Sequence, residues 1–399
     1  MAGIFSSVLM RLTSSFAVFR AEPGEEALAQ ARWHAREGHL RHAEQEYRTV
    51  LGERPTLHRG WIELFELLRR EGRHEEALAV ATDAAGAFGP DAAMPLALQG
   101  AALAELGRVR EAVRALEAAL ERDGNLALAW HELAYAAWRV GELTRALLAL
   151  DRAFALEPHT DTLLLRGRVL RDAGQYEAAE VAFEGAMQAA EYDIPRREAE
   201  RERDATRRAA SLGPRRPKEF GARERLFVET GSVALETESG PEGDLAVVLA
   251  RALSSAVALV RTVGWHPAAV AGVEPDDAPL ARHLAAALGA DHVAAAALDP
   301  RDRPLVVTVL NHGGEEWLKQ VTRLARWRSG ASFALVQQPG TAEPADLVGM
   351  ARALNGAAAH RSALAALRLD APAPAGLEEA EALAANLQAP WRRRLAGSD

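Results

Sequence analysis

Five glycines constrain the first half of this chain more than any other feature. Gly38, Gly72, Gly107, Gly141 and Gly174 stand 34, 35, 34 and 33 residues apart, and Ala43, Ala77, Ala112, Ala146 and Ala179 each follow five positions behind. A period of that length is the signature of stacked supersecondary units. Each unit reads as an apolar-periodic helix, a short turn at the glycine and a second helix, as in "LQGAALAELGRVREAVRALEAALERD" and "LLLRGRVLRDAGQYEAAEVAFEGAMQAA". The glycine permits the turn, and the alanine lets two helices approach closely.

Further positions recur in step. Trp61 and Trp130 stand near the start of their units, Gly100 and Gly167 within first helices, and Tyr47 and Phe183 within second helices. Ala119, Ala153 and Ala186 come later, and Pro55 and Pro158 close their units. Over residues 24–193 this pattern resembles the tetratricopeptide repeat. Val50, where an alanine is usual, and the extra residue in "GAFGPD" make units one and two less regular. The resemblance implies an all-α right-handed superhelix whose concave wall, built from first helices, grips a peptide or partner helix.

Carried over unit by unit, the inward positions are Arg32; then Ile62, Glu66 and Arg69; an alanine wall of Ala97, Ala101 and Ala104; His131, Tyr135 and Trp138; and Leu164, Arg168 and Arg171. From these, Arg32, Arg69, His131, Tyr135, Trp138, Arg168 and Arg171 are the expected partner-binding groove. Aromatics beside arginines suit a ligand with acidic and apolar groups. Two other readings stay open: Tyr135 and Trp138 pack between repeats, and the arginines form a solvated face. Some relatives clamp a C-terminal carboxylate with lysine and asparagine; no asparagine lies on these first helices, which disfavours that mode.

The flanks set the domain plan. Residues 1–23 form the first segment: Ile4, Phe5, Val8, Leu9, Leu12, Phe16 and Phe19 share a helical face opposite serines, Thr13 and Arg11. An amphipathic helix packed on the next domain is expected, with membrane-surface contact through residues 4–19 as the alternative. No basic stretch precedes the apolar part, as a signal peptide requires. Residues 194–223 read as a charged helix followed by the linker "SLGPRRPKEFG". The net charge of −9 argues against general nucleic-acid binding. With no cysteine, disulfides and thiolate chemistry are excluded, and a bacterial-type cytoplasm is the natural setting.

Residues 224–399 change character. "RLFVETGSVALE" reads as a hairpin, and "AAVAGV", "DHVAAA", "PLVVTVL" and "ASFALVQ" as short buried strands separated by helices. This alternation predicts a small α/β domain with a parallel or mixed sheet. Ligands on such sheets sit beyond strand carboxyl ends, here "VEPDDAP" and "NHGGEE", so Asp276, Asp277, Asn311, His312, Gly313 and Gly314 are the candidate ligand loops. The layout loosely resembles the type I phosphoribosyltransferase fold. Active members carry two adjacent acids at the later strand end and then a threonine-rich glycine loop; Leu310-Asn311 and His312-Gly313-Gly314-Glu315 stand there instead. Glu315 and Glu316 also occupy the helix turn where an anion would dock.

No nucleophile elbow, phosphate-loop sequence or His-Glu-x-x-His motif occurs, and His283 and His292 lack metal-ligand partners. The expectation is therefore a multidomain protein, an all-α tetratricopeptide-like array followed by a non-catalytic α/β domain, acting as an interaction adaptor without metal or cofactor. The alternatives are a phosphoribosyltransferase-like enzyme or a nucleotide or sugar-phosphate sensor, and a membrane-surface-anchored assembly factor. Neither the partner nor the oligomeric state can be read from the sequence.

Overall fold

The structure, a computed structural model, describes residues 24–236, 245–262, 264–327, 329–337, 341 and 345–351. The amphipathic N-terminal stretch and the C-terminal segments "RSALAALRL" and "GLEEAEALAANLQAPWRRR" lie outside them. The chain divides into two compact units: residues up to Arg207 with Arg216–Lys218, and Arg208–Arg215 with Glu219 onward.

The first unit is a tetratricopeptide-type array of five helix pairs. After a short turn at Glu25–Leu28 come α1 (Ala29–Arg36) with α2 (Leu40–Glu53), α3 (His58–Arg70) with α4 (His74–Phe88), and α5 (Ala93–Glu105) with α6 (Val109–Arg122). Then follow α7 (Ala127–Arg139) with α8 (Leu143–Leu156), α9 (Thr160–Asp172) with α10 (Tyr176–Ala189), and a longer α11 (Asp193–Ser211), assigned to this unit as far as Arg207. The five turn glycines take φ between 73° and 81°, the left-handed region. Beyond each, the next amide donates to the carbonyl five residues back: His39 to His34, Arg73 to Leu68, Arg108 to Leu103, Glu142 to Ala137 and Gln175 to Leu170, all at 2.8–3.0 Å. That bond caps the first helix and starts the second.

Small residues then set the helix spacing. Ala43, Ala77, Ala112, Ala146 and Ala179 are completely buried. A Cβ at Gly100 would stand 2.5 Å from Leu116, and one at Gly167 2.5 Å from the Phe183 ring, so each glycine admits a bulky side chain of the second helix. The two recurring tryptophans tie unit starts to the preceding loops: Trp61 Nε1 donates to the Pro55 carbonyl at 2.7 Å, and Trp130 Nε1 to that of Gly124 at 2.9 Å.

The second unit is α/β. It contains α12 (Ala222–Thr230), β1 (Val233–Glu236), α13 (Leu245–Thr262), β2 (Ala269–Gly272), α14 (Ala278–Leu288) and β3 (Asp291–His292). It continues through β4 (Leu305–Asn311), α15 (Glu315–Trp327), β5 (Ala331–Gln337) and β6 (Leu347–Ala351). Every pairing is parallel, in the order β1-β6-β5-β4-β2-β3. The expected hairpin at "RLFVETGSVALE" is instead a helix followed by one strand. Gly221 N–H donates to the Glu224 carboxylate at 2.8 Å to start that helix, and Gly231 at φ 78° ends it. Strand β3 is two residues long, shorter than "DHVAAA", because the chain turns into a 3-10 segment at Ala295–Ala297. Strand β6 was not expected from the sequence; Ser332 helps seat it, accepting from the Asp346 amide at 3.0 Å while its own N–H and hydroxyl donate to the Asp346 carboxylate at 2.8 Å.

Candidate functional site

Each arginine of the expected groove has a carboxylate partner on another first helix or on α11. The Arg32 guanidinium grips Glu63 of α3 with Nε at 3.0 Å and Nη2 at 2.7 Å, and Tyr47 donates to the same carboxylate at 3.0 Å. Arg69 reaches Glu132 at 2.9 Å and Glu66 at 3.0 Å. Arg168 pairs with Glu198 and Glu202, and Arg171 with Glu202, all at 2.7 Å. Arginine side chains that remain 17–28% exposed are thus charge-balanced and held in fixed orientations.

The remaining groove positions belong to the same ladder. His131 Nδ1 lies 3.3 Å from Thr162 Oγ1, Trp138 Nε1 donates to Asp172 at 2.7 Å, and the Tyr135 hydroxyl donates to Glu105 at 3.3 Å. The polar residues that complete it, Glu63, Glu132, Thr162, Asp172, Glu198 and Glu202, were missed from sequence. A signal was available: 32 to 63, 131 to 162 and 171 to 202 are each 31 positions apart, and 138 to 172 and 168 to 202 are 34 apart. Those are one repeat, or one repeat less a helical turn. Arg69 to Glu132 spans 63 positions, linking α3 to α7 past the buried alanines Ala97, Ala101 and Ala104 of α5.

Electrostatics distinguishes the members. Burial pushes the His131 imidazolium down to about 4, with Arg69 and His159 adding to the effect against Asp161. Burial likewise raises the Glu132 carboxyl, and Glu66 and Glu105 reinforce this against Arg69. Burial opposes the charge of Glu202 too, but Arg171 and Arg168 outweigh it and hold that carboxyl below its usual range. Within this ladder Tyr135 and Trp138 stay half-buried, their rings 6.0 Å apart, with the Arg139 guanidinium 5.7 Å over the Tyr135 ring.

In the second unit the strand order reverses at β2. The chain leaves β2 for β3 on one side and returns to β4 on the other, so the loops after Gly272 and Asn311 flank the switch point. Asp277 is 2% exposed and turns into that crevice: it accepts from Val309 N–H at 2.8 Å, Thr308 Oγ1 at 3.3 Å and Glu274 N–H at 3.0 Å. Gly272 makes room, since a Cβ there would meet Asp277 Cβ at 2.9 Å. Asp276 is exposed beside it. Asn311 is buried and accepts from Gly313 N–H at 3.0 Å, and Gly313 takes φ 77°, so Asn311 folds the turn that carries His312 and Gly314. Among the described residues, no His, Asp or Glu group is arranged to hold a metal ion, and no helix is long and apolar enough to cross a membrane.

No protein-family model matches the chain, and no curated protein matches it. Solved structures of repeat proteins are similar in part. One is a thermophilic tetratricopeptide repeat protein of Thermus thermophilus, at 17% identity and TM-score 0.40, covering 45% of this chain and 97% of that one. Another is YrrB, a tetratricopeptide repeat protein with an unusual peptide-binding site, at 18% identity and TM-score 0.29, covering 43% and 88%. The Cut9–Hcn1 hetero-tetramer of the APC/C matches at 20% identity and TM-score 0.38 over 46% of this chain, which spans 35% of the chain it matches. The phosphoribosyltransferase-like layout gains no support from these comparisons.

Proposed function

We propose that this protein is a non-enzymatic cytoplasmic adaptor whose first-helix wall binds a segment of a partner protein. The observation that carries the reading is the half-buried Tyr135–Trp138 pair, set between a neutral His131 and arginines already matched to carboxylates. Charge-balanced arginines offer little net attraction to an acidic ligand. Exposed ring surface, held in place by the Trp138–Asp172 and Arg139–Tyr135 bonds, offers a rigid anchor at low entropic cost. The expected partner segment therefore contributes an apolar or aromatic side chain to the rings and hydrogen-bonding groups to the fixed Arg–Glu pairs.

In this reading the α/β domain does no chemistry. The switch-point crevice already holds the Asp277 carboxylate, which accepts from the Glu274 and Val309 amides and the Thr308 hydroxyl. Photo-crosslinking in the native cell tests the proposal. A photoreactive phenylalanine at Tyr135 should capture one protein that the same residue at exposed Arg152 does not. Identical adducts from both positions would refute it.

A further inference from the structure

The first repeat exposes a face that the later repeats bury. On α9, Leu165 and Val169 pack against the preceding unit, in a cluster with Ala134 and Ala137 of α7 and Ala146, Ala149 and Leu150 of α8. These two residues stand nine and five positions before the turn glycine Gly174. Their counterparts in units two to four are equally enclosed: Glu63, Leu98 and Glu132 are 4%, 1% and 2% exposed, and Leu67, Ala102 and Ala136 are 3%, 0% and 0% exposed. In unit one the same positions are Ala29, which is exposed, and Trp33, which is 46% exposed. The widest apolar side chain available thus occupies a position that is otherwise a helix–helix contact. Beside it, the His34 and His39 rings lie edge-on to Trp33 at 4.8 and 6.0 Å, and His34 Nδ1 is buried with no hydrogen-bond partner among the described residues.

We propose that residues 4–19 of this chain cover that face, occupying the place that a preceding repeat's second helix would take. Three observations select this occupant. Its length fits, because Ile4 to Phe19 is 16 residues and the second helices are 14 or 15. Its pattern fits, because Ile4, Phe5, Val8, Leu9, Leu12, Phe16 and Phe19 fall on one side at 100° per residue. The entry to α1 fits as well. Pro23 lies 15 positions before its turn glycine, Pro55 lies 17 before Gly72 and Pro158 lies 16 before Gly174, and the latter two each follow a second helix. Terminal units of a stacked array need such a cover, since each repeat buries its apolar side only against a neighbour.

The chain contains no cysteine, so a reporter pair can be introduced cleanly. In the full-length protein at low concentration, Ala29→Cys with Leu12→Cys should oxidise to an intrachain disulfide. Ala29→Cys with Ser14→Cys, on the opposite side of the segment, should do so at least tenfold less. Independently, Phe5→Glu with Leu12→Glu should speed amide exchange in Ala29–Arg36 at least tenfold while the amides of α7 and α8 keep their wild-type rates. Disulfides only between chains would assign the face to a second copy and overturn the proposal. Unchanged exchange at α1, with the charge variant losing binding to phosphatidylglycerol vesicles, would assign the segment to a membrane surface and overturn it equally.

Discussion

Replacing His131 with asparagine should remove a pH dependence that the wild-type repeat array carries. The His131 imidazole sits near Arg69, His159 and Asp161, and burial depresses its pKa from 6.5 to about 4. A histidine depressed in the folded state binds its proton more tightly in the unfolded chain. Its contribution to stability is therefore complete above about pH 6.5 and is lost as the pH falls from there towards 4. With those two values, linkage gives a loss of about 2 kcal/mol between pH 7.5 and pH 5, growing to about 3 kcal/mol near pH 4. The comparison at pH 5 is the cleaner one, because most carboxylates are still ionised there and those that titrate do so in both proteins. Urea unfolding followed by far-ultraviolet circular dichroism, run on wild type and His131→Asn at both pH values, measures the difference. The gap between the two proteins should shift by about 2 kcal/mol in favour of the variant on acidification. A gap that stays constant within about 0.5 kcal/mol would refute the assignment of a partly buried, neutral imidazole.

Further outcomes follow from the packing and the buried polar groups. Gly167→Ala places a methyl 2.5 Å from the enclosed Phe183 ring, and overpacking of about 1–3 kcal/mol should exceed the helix-propensity gain of about 1 kcal/mol. Gly86→Ala in α4, where a Cβ meets nothing within 4 Å, should stabilise instead, and thermal melts of both variants read the contrast. Arg69→Met leaves Glu132 buried without its cation and should cost about 3 kcal/mol in urea unfolding, most of it recovered by adding Glu132→Leu. Asp277→Ala orphans the Val309 and Glu274 amides and should cost about 2–4 kcal/mol, while calorimetry of the intact wild type should show no heat with nucleotides or phosphoribosyl pyrophosphate, with or without magnesium. Micromolar binding abolished by Gly313→Val would instead make the Asn311–Gly314 turn a ligand loop.

The repeat array was legible because its determinants are local and recurrent. A glycine at positive φ and an alanine five residues later recur in every unit, and a glycine opposite a bulky second-helix side chain recurs at the same offset in two of them, so the units corroborate one another. The second unit lacks that redundancy. The run Leu226-Phe227-Val228 is apolar at neither a clear helical nor a clear strand period, and its helix is decided by Glu224 at the start and Gly231 at the end. Strand β6 escaped because Gly349 interrupts the apolar run Leu347–Ala351, and its place depends on partners far away in sequence, including Ser332.

The helix placement of the candidate arginines was legible in the sequence, and their pairing was not. Sequence placed Arg32, Arg69, Arg168 and Arg171 on first helices, but whether a guanidinium is free for a ligand depends on what the later units present to it. Here they present Glu63, Glu132 and, on α11, Glu202. The same holds at the switch point, where the carboxylate of Asp277, a candidate ligand-loop residue, is the acceptor that joins the β2 loop to β4. Both cases have one physical cause: a buried charge is tolerated only when a partner is already in place, so charged residues at enclosed positions are more often matched within the fold than held open for a visitor. Half-exposed rings carry no such penalty. That asymmetry is why recognition is proposed at Tyr135 and Trp138, and why disabling it should require removing ring surface there and not charge at Arg168 or Arg171.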